Sequence, residues 1–182
     1  MSQDVAARVQ AAKLPTIAIN DTFRLAPDAS ILYAADARWW AHNARILRRW
    51  KGLKATAHNS VTDRSIHILR PTGVSGFDPV PGHVRTGGNS GYQAIHLAAQ
   101  CGAKRIVLFG FDMHNRHGSH WHGQHQPPFN NPTRVIFGLW IQRFATLVEP
   151  LRARSILVVN ATPGSDLRCW PIADPADILS SI

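Results

Sequence analysis

Two things are scarce in this chain: cysteine and acidic side chains. Cys101 and Cys169 are too few for a disulfide framework and lack the C-x-x-C spacing of a metal site, so both are expected as free thiols. Long apolar runs are missing as well. Nothing approaches the roughly 18 to 20 consecutive apolar residues of a membrane helix, and the amino terminus lacks the basic-then-apolar pattern of a signal peptide. A cytoplasmic protein with no membrane partner is therefore expected. Eleven Asp and Glu stand against twenty Lys and Arg, a net charge of +9. That field favours anionic partners such as nucleotides, phosphosugars or nucleic acid. Part of it is concentrated in Arg45, Arg48, Arg49, Lys51 and Lys54, around an expected helix end. A binding patch and a solvated face that complements the helix dipole are both open readings there.

What is present is enough apolar residue for one core: 45% of 182 residues, read as a single domain spanning residues 1–182. Short apolar runs alternate with helical spacing. Strands are expected over Thr16–Ile19, Ile31–Ala35, Lys54–His58, Ser65–Leu69, Arg105–Gly110 and Ser155–Val159. Helices are expected over Val5–Leu14, Ala37–Trp50 and Ser90–Cys101. Another is expected to start at Asn131–Pro132 and run to about Leu151, with Ile136, Trp140, Phe144, Leu147 and Leu151 on its apolar face, before a short last helix near Asp174–Leu179. The Pro- and Gly-rich stretch Pro71–Gly88 reads as an irregular loop long enough to be functional.

Alternation of this kind implies an α/β fold, a mostly parallel sheet flanked by helices. Open sheets of that class bind ligands beyond the carboxyl ends of their strands. Asn20, Asp36, Asp112 and Asn160 each end an expected strand and would share that rim, although each alone is equally a cap or turn residue.

Two segments carry the candidate chemistry. Gly87, Gly88, Asn89, Ser90 and Gly91 lie just before a helix, where glycines permit close approach of an anion and first-turn N–H groups point at it. An ordinary loop with Asn89 or Ser90 as N-cap is the competing reading, since the spacing is neither a Walker loop nor G-x-G-x-x-G. The second segment holds His114, His117, His120, His122 and His125 in a loop after a core strand. Histidines there suit general acid/base catalysis, or a divalent metal with Asp112 as carboxylate ligand, or nothing beyond solvation. The spacing matches no standard zinc pattern. Trp39 reads as a packing residue and Trp121, between two histidines, as the better ligand-stacking candidate.

Gly88-Asn89-Ser90-Gly91-Tyr92, the helix after it and the strand Ile106-Val107-Leu108-Phe109-Gly110-Phe111-Asp112 resemble the Ser-Gly helix and G-[IF]-D strand end of two related groups. These are the small Rossmann-like bacterial sialyltransferases and the archaeal-type hydroxymethyldihydropterin pyrophosphokinases. The chain is also similar to small phage and prophage proteins with this core, through Ala18-Ile19-Asn20-Asp21, the Tyr33–Trp40 segment, the His-rich loop and Asn160-Ala161-Thr162-Pro163-Gly164-Ser165. The resemblance implies a Rossmann-like domain in which Asn20, Asn89, Ser90 and Gly91 contact a nucleotide or nucleotide-sugar donor. Asp112 would lie at the site floor and one of His120, His122 and His125 would serve as base. Both groups open with a strand and a G-x-G-P-S turn, whereas Met1 here stands where the following helix begins, so the first strand is expected to be absent. The sheet edge so exposed could be covered by another chain, a homo-oligomer among the options. Transfer of a glycosyl or phosphoryl group is the expected function. The alternatives are a phage-associated nucleic-acid-binding protein without turnover and a metal-dependent hydrolase built on the His loop.

Overall fold

The computed structural model describes residues 2–116 and 131–181, a mixed α/β arrangement in which every ladder among these residues is parallel. Helix α1 (Gln3–Ala11) starts on Ser2, whose Oγ accepts the Val5 amide. It stops short of Leu14 because Lys13 takes a φ of 52° and so leaves the helical region. Strand β1 (Ile17–Ile19) runs straight into a 3₁₀ turn, Asn20–Arg24. After β2 (Ile31–Tyr33), Asp36 caps α2 (Ala37–Leu47) by accepting the Arg38 amide, and β3 (Leu53–Thr56) and β4 (His67–Ile68) follow. These strands form one sheet in the order β1-β2-β3-β4, with Ala18 opposite Leu32, Leu32 opposite Lys54 and Ala55 opposite His67. The Ser65–Leu69 strand thus shrinks to two residues at the sheet edge.

Within the Pro- and Gly-rich stretch, β5 (Arg70–Pro71) and β6 (His83–Val84) pair, a ladder too short for sequence periodicity to register. Helix α3 (Ser90–Gln100) then leads to β7 (Arg105–Leu108), which pairs with β8 (Leu157–Asn160). Asn160 also bridges to Ile172 ahead of α6 (Pro175–Ser180), which Asp174 caps. No ladder joins β1 to β7: the four-stranded sheet and the β7–β8 pair are separate, and α3 contacts both.

The long helix expected from Asn131 to Leu151 is instead two helices with a later start. Thr133, not Asn131, is the N-cap of α4 (Arg134–Ala145), its Oγ1 accepting the Ile136 amide. The break before α5 (Val148–Arg152) follows from Pro150, which has no N–H to give the Thr146 carbonyl but is tolerated in the first turn of a new helix. The apolar face shifts with it: Phe137 is buried and Ile136 is exposed.

Two clusters make up most of the core. One packs Trp39, Trp40 and Leu47 of α2 against Ala18 and Leu32. The other gathers Tyr92 and Ile95 of α3, Ile106 and Leu108 of β7, Val158 of β8 and the α4–α5 residues Phe144, Leu147 and Leu151. Phe144 sits at its centre, with ring centroids 5.6 Å from Tyr92, 6.0 Å from Phe111 and 6.1 Å from Trp170. Among the described residues no helix is long and apolar enough to cross a membrane.

Phe144→Ala is expected to cost about 3–5 kcal/mol in denaturant unfolding, because a fully buried ring leaves a cavity that three aromatic neighbours cannot close. The same truncation at Val135, 79% exposed on the same helix, is expected to stay within about 0.5 kcal/mol.

Candidate functional site at the amino end of the third helix

One hydroxyl ties three elements together at the start of α3. Ser90 Oγ accepts the Ala35 amide at 3.0 Å and donates to Asn20 Oδ1 at 3.2 Å, so the chain leaving β1 and the chain leaving β2 meet the first turn of the helix. Asn20 holds a φ of 49°, a left-handed conformation that asparagine tolerates better than most residues. The chain leaving β7 arrives from the other side. The Phe111 ring lies so close to Gly91 that a Cβ there would stand 2.7 Å from Phe111 Cε1. Phe111 in turn donates its amide to Thr162 Oγ1 at 3.1 Å, and the Asp112 carbonyl accepts the Asp166 amide at 2.9 Å, which brings in the turn after β8.

The predicted rim residues therefore gather at one end of the molecule, but they are differently employed. Asn20 and Ser90 are bonded to each other. Asp36, one residue past Ala35, caps α2 and pairs with Arg38 at 3.1 Å. Burial would raise its carboxyl, yet the Arg38 hydrogen bonds and charge outweigh that and hold it below its ordinary range. Asp112 is exposed. Asn160 is fully buried, its Nδ2 donating to Ser165 Oγ at 3.0 Å and to the Leu167 carbonyl at 3.1 Å, so it braces the turn after β8 from within. His120, His122 and His125, with His117 and Trp121, lie outside the described residues. Trp39 and Trp40 are core residues, bonded through Nε1 to Asp21 and to the Ala34 carbonyl.

Asn89 caps α3 by accepting the Tyr92 amide at 2.8 Å. The preceding amides of Ser90 and Gly91 have no intrahelical acceptor and point out of the helix with its positive dipole end. The two positions before them favour glycine: φ is 56° at Gly87 and 75° at Gly88, and a Cβ at Gly87 would also overlap the Tyr92 ring. Arg143 is a residue the sequence reading missed. It reaches from α4 to donate to the Gly87 carbonyl at 3.1 Å, placing a cation beside the turn. A basic residue flanking the buried Phe144 was the available signal, but its target lies 56 residues earlier in the chain.

The loop carrying these glycines is pinned along α3. Gln100 Nε2 donates to the carbonyls of Asp78, Val80 and His83, Tyr92 Oη donates to the Gly76 carbonyl at 2.7 Å, and Gln93 Nε2 donates to the Thr86 carbonyl at 2.7 Å. His96, fully buried and stacked on Phe77, accepts the Asp78 amide on Nε2 at 3.0 Å, which requires that nitrogen to be unprotonated. Burial pushes its pKa down to about 4.

Among the described residues no group of three or more His, Cys, Asp or Glu is arranged to hold a metal ion. Two clefts open on other faces. One is between α2 and residues 60–66; the other, of about 570 Å³, is lined by Arg24, Arg49, Trp50 and Lys51. No family model matches this sequence, and no curated protein or solved structure matches it either.

Ser90→Ala is expected to lower stability by about 1–3 kcal/mol, since the Ala35 amide and Asn20 lose their shared partner; chemical denaturation measures it. Acid is expected to act through His96. Its folded pKa, about 4, lies below the unfolded 6.5, so the unfolded chain binds the extra proton between those values. Stability should then fall as pH drops through that window, by roughly 3 kcal/mol in all. Melting curves of the parent and of His96→Gln across the window check this, the variant being the flatter.

Proposed function

We propose that this chain is a Rossmann-like transferase domain that binds a nucleotide or nucleotide-linked donor across the carboxyl ends of β1, β2 and β7 and transfers a glycosyl or phosphoryl group. The observation that carries the reading is the meeting of three strand ends at the first turn of α3, around Ser90, Asn20 and Phe111. That is the position at which open α/β sheets take phosphates.

In this reading the free amides of Ser90 and Gly91 hold the donor phosphate, the positive-φ glycines Gly87 and Gly88 let it approach, and Arg143 adds charge from α4. Asn20 and Asp36 flank the ribose or base, Asp112 lines the floor, and Asn160 keeps the turn after β8 in place. One of His120, His122 and His125 takes the proton of the acceptor hydroxyl as its oxygen attacks the donor. The bond to the departing phosphate breaks, and that phosphate keeps the electron pair against the helix amides.

A thermal-shift series with nucleotides and nucleotide sugars tests the reading. A donor at 100 times its Kd adds about 2.7 kcal/mol and is expected to raise Tm by about 5–10 °C for a chain of this length. Replacing His120, His122 and His125 together by Ala should abolish transfer while the donor-induced shift persists. No shift with any nucleotide, or unchanged turnover in the triple variant, contradicts the assignment.

One observation favours a second reading. Arg45, Arg48 and Arg49 are all exposed at the end of α2, and among the described residues none forms an ion pair with a carboxylate. A nucleic-acid surface there would show binding that weakens steeply with salt, without the base-selective saturation of a donor site.

A further inference from the structure

Among the described residues the two sheet edges that α3 bridges are unpaired, and their hydrogen-bonding groups are the unusual part. In a parallel ladder successive residues direct their N–H and C=O to opposite sides. The Thr16 carbonyl accepts the Ile31 amide, so Thr16 and Ala18 serve β2 and the polar groups of Ile17 and Ile19 face away from it. On β7 the Lys104 carbonyl accepts the Leu157 amide and the Leu108 carbonyl accepts the Ala161 amide. Ile106 and Leu108 thus serve β8, and Arg105, Val107 and Phe109 face the other way. Among the described residues none of these outward groups has a backbone partner. A row of unpaired edge groups of this kind is a ready template for another strand.

The two open edges belong to one place. β1 and β7 both pack against α3, Ile19 packs against the cluster that holds Ile106 and Leu108, and both strands end at the first turn of that helix. β2 occupies the far side of β1, and β8 the far side of β7. The free edges therefore look toward each other across a slot. A helix about 10 Å wide spans about two strand spacings of about 4.8 Å, so α3 can bridge a slot one strand wide between β1 and β7, which do not pair directly.

We propose that this slot is a docking site for an extended segment of a partner polypeptide, which inserts as a parallel strand between β1 and β7 and joins the two sheets into one. The surroundings define its chemistry. A strand between two parallel neighbours is buried on both faces, so the segment is aliphatic along its length. Its amino end lies by the amino ends of β1 and β7, where Lys13, Lys104 and Arg105 are exposed and, among the described residues, without a carboxylate partner. An acidic flank complements them. The carboxyl end of the segment arrives between Asn20 and Phe111, beside the Ser90 turn. The proposal stands on backbone pairing alone and does not require the site there to bind a nucleotide.

The test is amide hydrogen exchange on the protein alone and with a synthetic peptide of two glutamates followed by alternating isoleucine and valine. Without peptide, the amides of Ile17, Ile19, Val107 and Phe109 should exchange quickly and those of Ala18 and Ile106 slowly. With peptide the first four should slow by at least about tenfold, as amides entering a ladder do. Arg105→Glu should weaken that effect, and a peptide with lysines in place of the glutamates should not produce it. Three results overturn the proposal. The four amides could already be protected in dilute free protein, which closes the slot with the chain's own residues. Protection could rise with protein concentration, which makes a second copy the occupant. Or the peptide could leave all four unchanged. Nucleotide binding is read separately, by thermal shift, so the two proposals fail independently.

Discussion

The Ser90 hydroxyl is the contact on which the arrangement of the rim depends. It accepts from Ala35 and donates to Asn20, and so fixes the ends of two neighbouring strands to the first turn of α3. The opposite side of that turn is fixed by packing, with Phe111 against Gly91. A polar bond on one flank and a steric contact on the other hold the helix dipole aimed at the space beyond the strand ends. The Gly87–Gly88 turn is held by further contacts, with the Tyr92 ring and the Arg143 guanidinium pressed against it and the His96 and Gln100 bonds pinning the loop behind.

This arrangement separates support from access. Asn160, Trp39, Trp40 and His96 are buried and committed to partners within the protein. Asp112 and Gly88 are exposed, and in the proposed function they and the outer amides of α3 face the donor. Positive φ at Asn20 and Met113, close to the strand ends, marks backbone strain where the chain turns away from the sheet. Strain of that kind concentrates at sites where geometry matters more than stability.

Much of the fold was legible because apolar runs punctuated by Asp, Asn and Gly are local signals. The expected strands at Ile31 and Arg105 and the helices at Ala37 and Ser90 begin where the structure begins them, since Asp36 and Asn89 are caps whose partners lie two or three residues away. The misreadings share a cause as well. Helical spacing continues smoothly through Thr146, but the missing N–H of Pro150 breaks the ladder there, a one-residue effect that periodicity averages out. The β5–β6 ladder has two residues a side, too few to alternate. At the site, the glycine turn and Ser90 could be picked out from composition. Arg143 could not, because its role is created by α4 folding back over a loop far away in sequence. Asn160 reads as a rim residue by position along its strand, and only its burial and bonding show that its Nδ2 is spent inside.

The claim that the strand ends aim the start of α3 at an anion is tested most directly by amide chemical-shift mapping during titration with inorganic pyrophosphate. The account predicts saturable shifts confined to Gly88, Ser90, Gly91 and their neighbours at Asn20. Shifts that instead centre on Arg45, Arg48 and Arg49 and vanish with added salt would contradict it.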